Sequence, residues 1–181
     1  MSGFDFYFSF YGLLLGLCVA QVASGLGHAV VIRRHGRLGL LTPMLAVFLL
    51  LDIASFWIWA WDSRQEINVD YTNMYLGLTI ALSYYLATVL LFPVRETDWA
   101  DLDAHYWQNK SLVLGGIGLA NLLVIAASWV HDGVPFTTAF QWFVQAVYWA
   151  SLVTAAISGR AVIDKVCLGL LIAVYASTVV I

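Results

Sequence analysis

The chain has 181 residues, of which 62% are hydrophobic and only 10% charged, with a formal net charge of −3. A soluble domain carries about 25% charged residues, so this composition belongs to the membrane class. The lack of a strongly basic run excludes a nucleic-acid partner. Cys18 and Cys167 both fall in apolar segments, which argues against a disulfide or a zinc site.

Six segments are long and apolar enough to span a bilayer: about 7–31, 40–61, 72–93, 111–130, 138–158 and 162–181. The expected fold is all-α: a single domain over 1–181, built as an integral membrane bundle of six transmembrane helices. The start of the chain has no basic run of the signal-peptide kind, so the first span is expected to act as its own insertion signal. Orientation follows from the basic residues. Arg33, Arg34 and Arg37 lie in the first loop, Arg95 and Lys110 in the third, Arg160 and Lys165 in the fifth, and only Arg64 on the other side. The odd loops are therefore expected in the cytoplasm and both termini in the periplasm of a bacterial inner membrane.

Span 1 carries small residues four apart, Gly12, Gly16, Ala20 and Ser24, ending at His28. That spacing lines one helix face and lets another backbone approach closely. Gln21 lies beside the row. His28, near the cytoplasmic end, reads as an interfacial histidine or as a proton or ligand contact.

Span 2 has the most informative residue. Thr42 reads as a helix cap and Pro43 as the first helical residue. Pro43 to Trp61 covers roughly 28 Å at about 1.5 Å per residue, close to a hydrocarbon core of about 30 Å. Asp52 sits at its middle. An ionised carboxylate there is penalised by at least about 2.5 kcal/mol, so it must be protonated, paired or facing a wet cavity. It reads as a proton or cation site, or as a neutral acid bonded to a polar side chain of another helix. No intramembrane Lys or Arg stands out as its partner; Gln21, Asn121, Gln141 and Gln145 are the expected ones.

In span 3, adjacent Tyr84 and Tyr85 project about 100° apart, so at least one hydroxyl is expected to find a partner inside the bundle. Within 95–110, Trp99, Leu102 and Tyr106 share a face at helical spacing, which predicts a short interfacial helix between helices 3 and 4. Asp98, Asp101 and His105 share the neighbouring face; a solvated acidic face is the first reading, and a divalent-metal site the weak alternative. Span 4 opens with Gly115, Gly116 and Gly118, carries Asn121, and closes at His131-Asp132-Gly133, a helix end and turn. Span 5 places Thr138, Gln141, Gln145 and Tyr148 along one side, where the two glutamines are expected to line a polar path or reach Asp52. Span 6 begins near Asp164 and Lys165, close to the cytoplasmic surface, where lysine snorkels.

No Walker-type loop, HExxH, GxSxG or CxxC motif is present. No cofactor is identified, and a bis-histidine haem fits His28 and His131 poorly, since they lie at opposite ends of their spans. Three functions compete. The first is a channel or transporter for a small solute, proton or ion, with Asp52, Gln21, His28, Tyr84, Asn121, Gln141 and Gln145 as its polar pathway. The overall plan is similar to that of small urea and amide channels, without their local motifs. The second is a non-catalytic accessory subunit of a larger membrane complex. The third is a membrane-embedded enzyme using the acidic face at 98–105. Besides the lipid bilayer, the expected partners are further copies of the chain or other membrane subunits.

Overall fold

The structure is a computed structural model and describes residues 3–32, 39–63, 70–95, 99, 101–131, 133 and 136–178. Six helices and no strands form among the described residues: α1 (Gly3–Ile32), α2 (Leu41–Asp62), α3 (Tyr71–Leu91), α4 (Leu102–His131), α5 (Ala139–Ile157) and α6 (Ala161–Thr178). The first five are long and apolar enough to cross a membrane; α6, with 18 residues, is the shortest.

Local chemistry sets the helix ends. Asp70 caps α3 by accepting the Asn73 N–H at 2.8 Å. Thr138 and Gln141 form a reciprocal capping box at the start of α5. Gly133, at φ +82°, adopts the left-handed conformation just past the end of α4. Thr42 differs from expectation. The helix already runs from Leu41 with no side-chain cap, and the buried Thr42 hydroxyl donates instead to the Leu102 carbonyl at 3.1 Å, tying α2 to α4.

The expected interfacial helix is also corrected. Leu102 to Lys110 are the opening turns of the 30-residue α4, continuous with the segment expected to start at 111. Trp99, Leu102 and Tyr106 do share a face, but it is 8%, 1% and 2% exposed and packs in the bundle core. An apolar stripe states that something covers it, and here the cover is protein.

α2 is the hub: it packs against α1, α3, α4 and α6. Around it α1 packs on α3, α3 on α4, α4 on α5 and α5 on α6. The α1–α3 contact is close because Gly77 has no side chain; a Cβ there would lie 1.8 Å from the Tyr11 hydroxyl oxygen. Tyr11 uses that space to donate to the Met74 carbonyl at 3.0 Å. The core is a continuous cluster including Leu45, Phe48, Leu49, Ile80, Leu114, Ile117, Leu168 and Leu171.

Candidate functional site

Asp52 lies halfway along the hub helix and is fully buried, with 0% exposure. Four of the other helices each send one donor to it. From α3, the Tyr84 hydroxyl donates to Oδ2 at 2.8 Å. From α4, the Asn121 amide donates to both oxygens, at 3.2 Å to Oδ1 and 3.0 Å to Oδ2. From α5, the Tyr148 hydroxyl donates to Oδ1 at 3.1 Å. From α6, the Tyr175 hydroxyl also donates to Oδ1. Phe48 packs against the rings of Tyr148 and Tyr175, and Phe56 against Tyr84, so the carboxyl group sits in an aromatic cage. When the carboxyl group is ionised, hydrogen bonds of this kind are about twice as strong as neutral ones. Four donors compensate for a position from which water is excluded.

Of the residues proposed for a polar pathway, the structure brings together Asp52, Tyr84 and Asn121. Gln141 stands apart: its side-chain oxygen accepts from the N–H groups of Thr137 and Thr138, so it caps α5 instead of facing Asp52. Gln21 is exposed on the outside of α1. His28 is exposed too, with its ring centroid 4.3 Å from that of Trp99 in an edge-to-face arrangement. Gln145 is half-buried one turn before Tyr148, and no hydrogen bond among the described residues places it in the cage.

The small-residue row of α1 points mostly outward. Gly12 is half-buried against Trp57, but Gly16 has open space where a side chain would be, and Ala20 and Ser24 are exposed. On the proposed metal face, Asp101 accepts the Ala104 N–H at 3.0 Å as a helix cap, and His105 Nε2 lies 3.0 Å from the Leu90 carbonyl. Asp98 lies outside the described residues, and among those described no group of three or more acidic, histidine or cysteine side chains could hold a metal ion. Cys18 and Cys167 are both free and buried.

Two members of the cage stand outside the expected pathway. Tyr148 lies on the polar side of α5, three residues beyond Gln145, a placement that flags it. Tyr175 sits in the apolar second half of α6, where a tyrosine resembles an interface anchor. Its only distinguishing mark is its spacing of eleven residues from Asp164.

A second polar cluster was not expected at all. Lys110, placed in a loop by its charge, is 4% exposed within α4, and its Nζ donates to Asp164 Oδ2 at 2.6 Å. The same nitrogen donates to the carbonyls of Ala155 at 2.8 Å and Ser158 at 2.5 Å, at the end of α5. The Tyr106 hydroxyl donates to Asp164 Oδ2 at 2.9 Å. Asp164 stands in the first turn of α6 and Lys110 at the last carbonyls of α5, so each charge complements the nearer helix dipole.

The chain matches no protein-family model, no characterised protein and no solved structure at a significant level. The likeness in plan to urea and amide channels therefore carries no further weight, and function is argued from the cage.

Proposed function

We propose that this is a six-span inner-membrane transporter or channel for a proton or small cation, with Asp52 as its binding group. α6 is then the sixth span, the odd loops face the cytoplasm and both termini face outward. The observation that carries the reading is the single buried carboxyl group on α2 that accepts donors from α3, α4, α5 and α6. An ionised carboxylate accepts all four. A carboxylic acid has a proton of its own to donate, so at least one of the four donors must turn away. Gain or loss of one proton thereby changes a contact at the point where five helices meet, and a bound cation would displace the donors in the same way. Such differential contact is what couples a ligand to a conformational change.

The test is flux in proteoliposomes. Wild-type protein should dissipate an imposed proton or monovalent-cation gradient faster than empty vesicles. Asp52→Asn, which keeps an acceptor oxygen for the tyrosines, should fold and abolish that flux. Equal flux in both proteins, or none above background in wild type, overturns the reading.

The outward face of α1 favours a second reading. Half-buried Gly16, with open space beside it, and exposed Ala20 and Ser24 leave a shallow strip at which a foreign helix could approach closely. An accessory subunit would use that strip, and native mass spectrometry from the original membrane would then recover fixed stoichiometric partners.

A further inference from the structure

We propose that Asp164 is a second proton-accepting site, taking its proton on Oδ1, at the end of the bundle where α5 turns into α6. Its place in a transport cycle rests on the reading of Asp52 given above; its chemistry does not. Asp164 is 0% exposed, yet Oδ1 has no hydrogen-bond partner among the described residues. The reason is that the neighbouring donors are already committed. Lys110 has three N–H groups, directed at Ala155, Ser158 and Asp164 Oδ2. The one proton of Tyr106 also goes to Oδ2. A buried carboxylate oxygen left bare is costly, and because Oδ2 already takes both donors, Oδ1 is the carboxyl oxygen free to take a proton.

A metal cation suits the site less well. It would sit on the same carboxyl group as an ammonium held at 2.6 Å, and like charges repel strongly away from water. The other ionisable groups facing this cluster are few. α4 contributes Lys110, Tyr106 and, near Tyr106, Asp103; α6 contributes Cys167. α5 contributes only the Ala155 and Ser158 carbonyls, while Arg160 and Lys165 are exposed.

The step balances simply. A hydronium ion gives its proton to Oδ1 and leaves as water, while Lys110 keeps all of its protons. The neutral pair becomes a carboxylic acid beside an ammonium, still held by two carbonyls at the negative end of the α5 dipole. The Coulombic tie between α4 and α6 is lost.

The placement connects this cluster to the cage. Lys110 and Asn121 are eleven residues apart on α4, and Asp164 and Tyr175 are eleven apart on α6. Eleven residues are about three turns, so each pair shares a helix face about 16 Å apart. Leu114, Ile117, Leu152, Leu168 and Leu171, buried members of one core cluster, lie between the two along α4, α5 and α6 as an apolar layer. Two proton sites on either side of an apolar barrier, joined by the same two helices, are the parts of a gated route.

Infrared difference spectroscopy on acidification tests this in the intact protein reconstituted in lipid. A protonated-carboxyl band that survives in Asp52→Asn and disappears in Asp164→Asn is the expected result. Tyr106→Phe, which removes a donor to Asp164 alone, should shift that band and leave any Asp52 band in place, and it serves if Asp164→Asn does not fold. If every acid-induced carboxyl band is lost in Asp52→Asn, or none responds to Asp164→Asn or Tyr106→Phe, the proposal fails. Flux measured on the same samples separates the two ideas. Unaltered flux in Asp52→Asn sinks the transport reading and leaves the Asp164 band to stand or fall by itself.

Discussion

At the scale of single residues, the four donors around Asp52 are unequal in what their loss would do. Removing one tyrosine hydroxyl leaves the carboxyl group three partners, so Tyr84→Phe or Tyr148→Phe should cost about 1–2 kcal/mol, near the low end for a buried hydrogen bond to a charged group. Removing the acceptor strands three hydroxyls and an amide together, so Asp52→Ala should cost more than any single donor variant, by several kcal/mol. Reversible unfolding in mixed micelles would check the order; a Tyr84→Phe penalty equal to that of Asp52→Ala would mean that the cage is not shared as described. The sequence exposes this site unevenly, for physical reasons. Asp52 is legible because a charge in an apolar run has no bland explanation, and Asn121 because a primary amide in a span needs a partner. Tyr175 is not, because a tyrosine is at home in both a core and an interface. Gln141 misleads because glutamine three residues after threonine is also a capping signal, and the helix start claims it first. Lys110 misleads in the opposite direction, since its charge resembles a loop until Asp164 is seen to neutralise it.

At the scale of elements, small residues separate into those that seat a neighbour inside the molecule and those that do not. Gly77 belongs to the first kind, because the Tyr11 ring occupies the place of its missing side chain. Gly77→Ala should push that ring off the Met74 carbonyl and destabilise the α1–α3 contact by about 1–3 kcal/mol. Gly16 belongs to the second kind, with open space beside it. Gly16→Ala should leave the monomer as stable or raise its stability by up to about 1 kcal/mol, since alanine is the better helix former. Thermal unfolding of the two variants side by side tests this, and a large loss for Gly16→Ala together with a smaller particle would show that the outward face of α1 seats a partner. Spacing alone reveals the row from Gly12 to Ser24 without telling which side of the helix faces the protein. The same ambiguity misassigned Trp99, Leu102 and Tyr106 to the membrane surface: helical periodicity identifies the apolar face, and only the contacts with Phe92, Thr42 and Asp164 identify its cover.

At the scale of the whole molecule, the number of crossings depends on α6. Helix bounds are legible because an apolar run of the length a bilayer needs stands out in the sequence, and the starts of α2, α3, α5 and α6 fall within a residue or so of expectation. α4 starts nine residues early because its charged opening turns are neutralised inside the fold, something that hydropathy cannot register. The same pairing bears on α6. Its 18 residues reach about 27 Å, slightly short of a hydrocarbon core of about 30 Å, and they include Asp164. An unpaired acid would resist insertion by about 2.5–3.5 kcal/mol, but the ion pair with Lys110 and the hydroxyl of Tyr106 remove most of that penalty once α4 and α5 are in place. α6 should therefore cross, and insert only after α4. Single cysteines placed at Thr137, Gly159 and Ser177, all exposed, report this through an impermeant maleimide, since Cys18 and Cys167 are buried. Thr137→Cys and Ser177→Cys should label from outside intact cells, and Gly159→Cys only after the membrane is opened. If Ser177→Cys labels only together with Gly159→Cys, then α6 returns to the side it left, and Tyr175 could not reach Asp52 at mid-depth. In a Lys110→Met background, with Asp164 left unpaired, outside labelling of Ser177→Cys should fall while that of Thr137→Cys is unchanged, because only the last crossing depends on the ion pair.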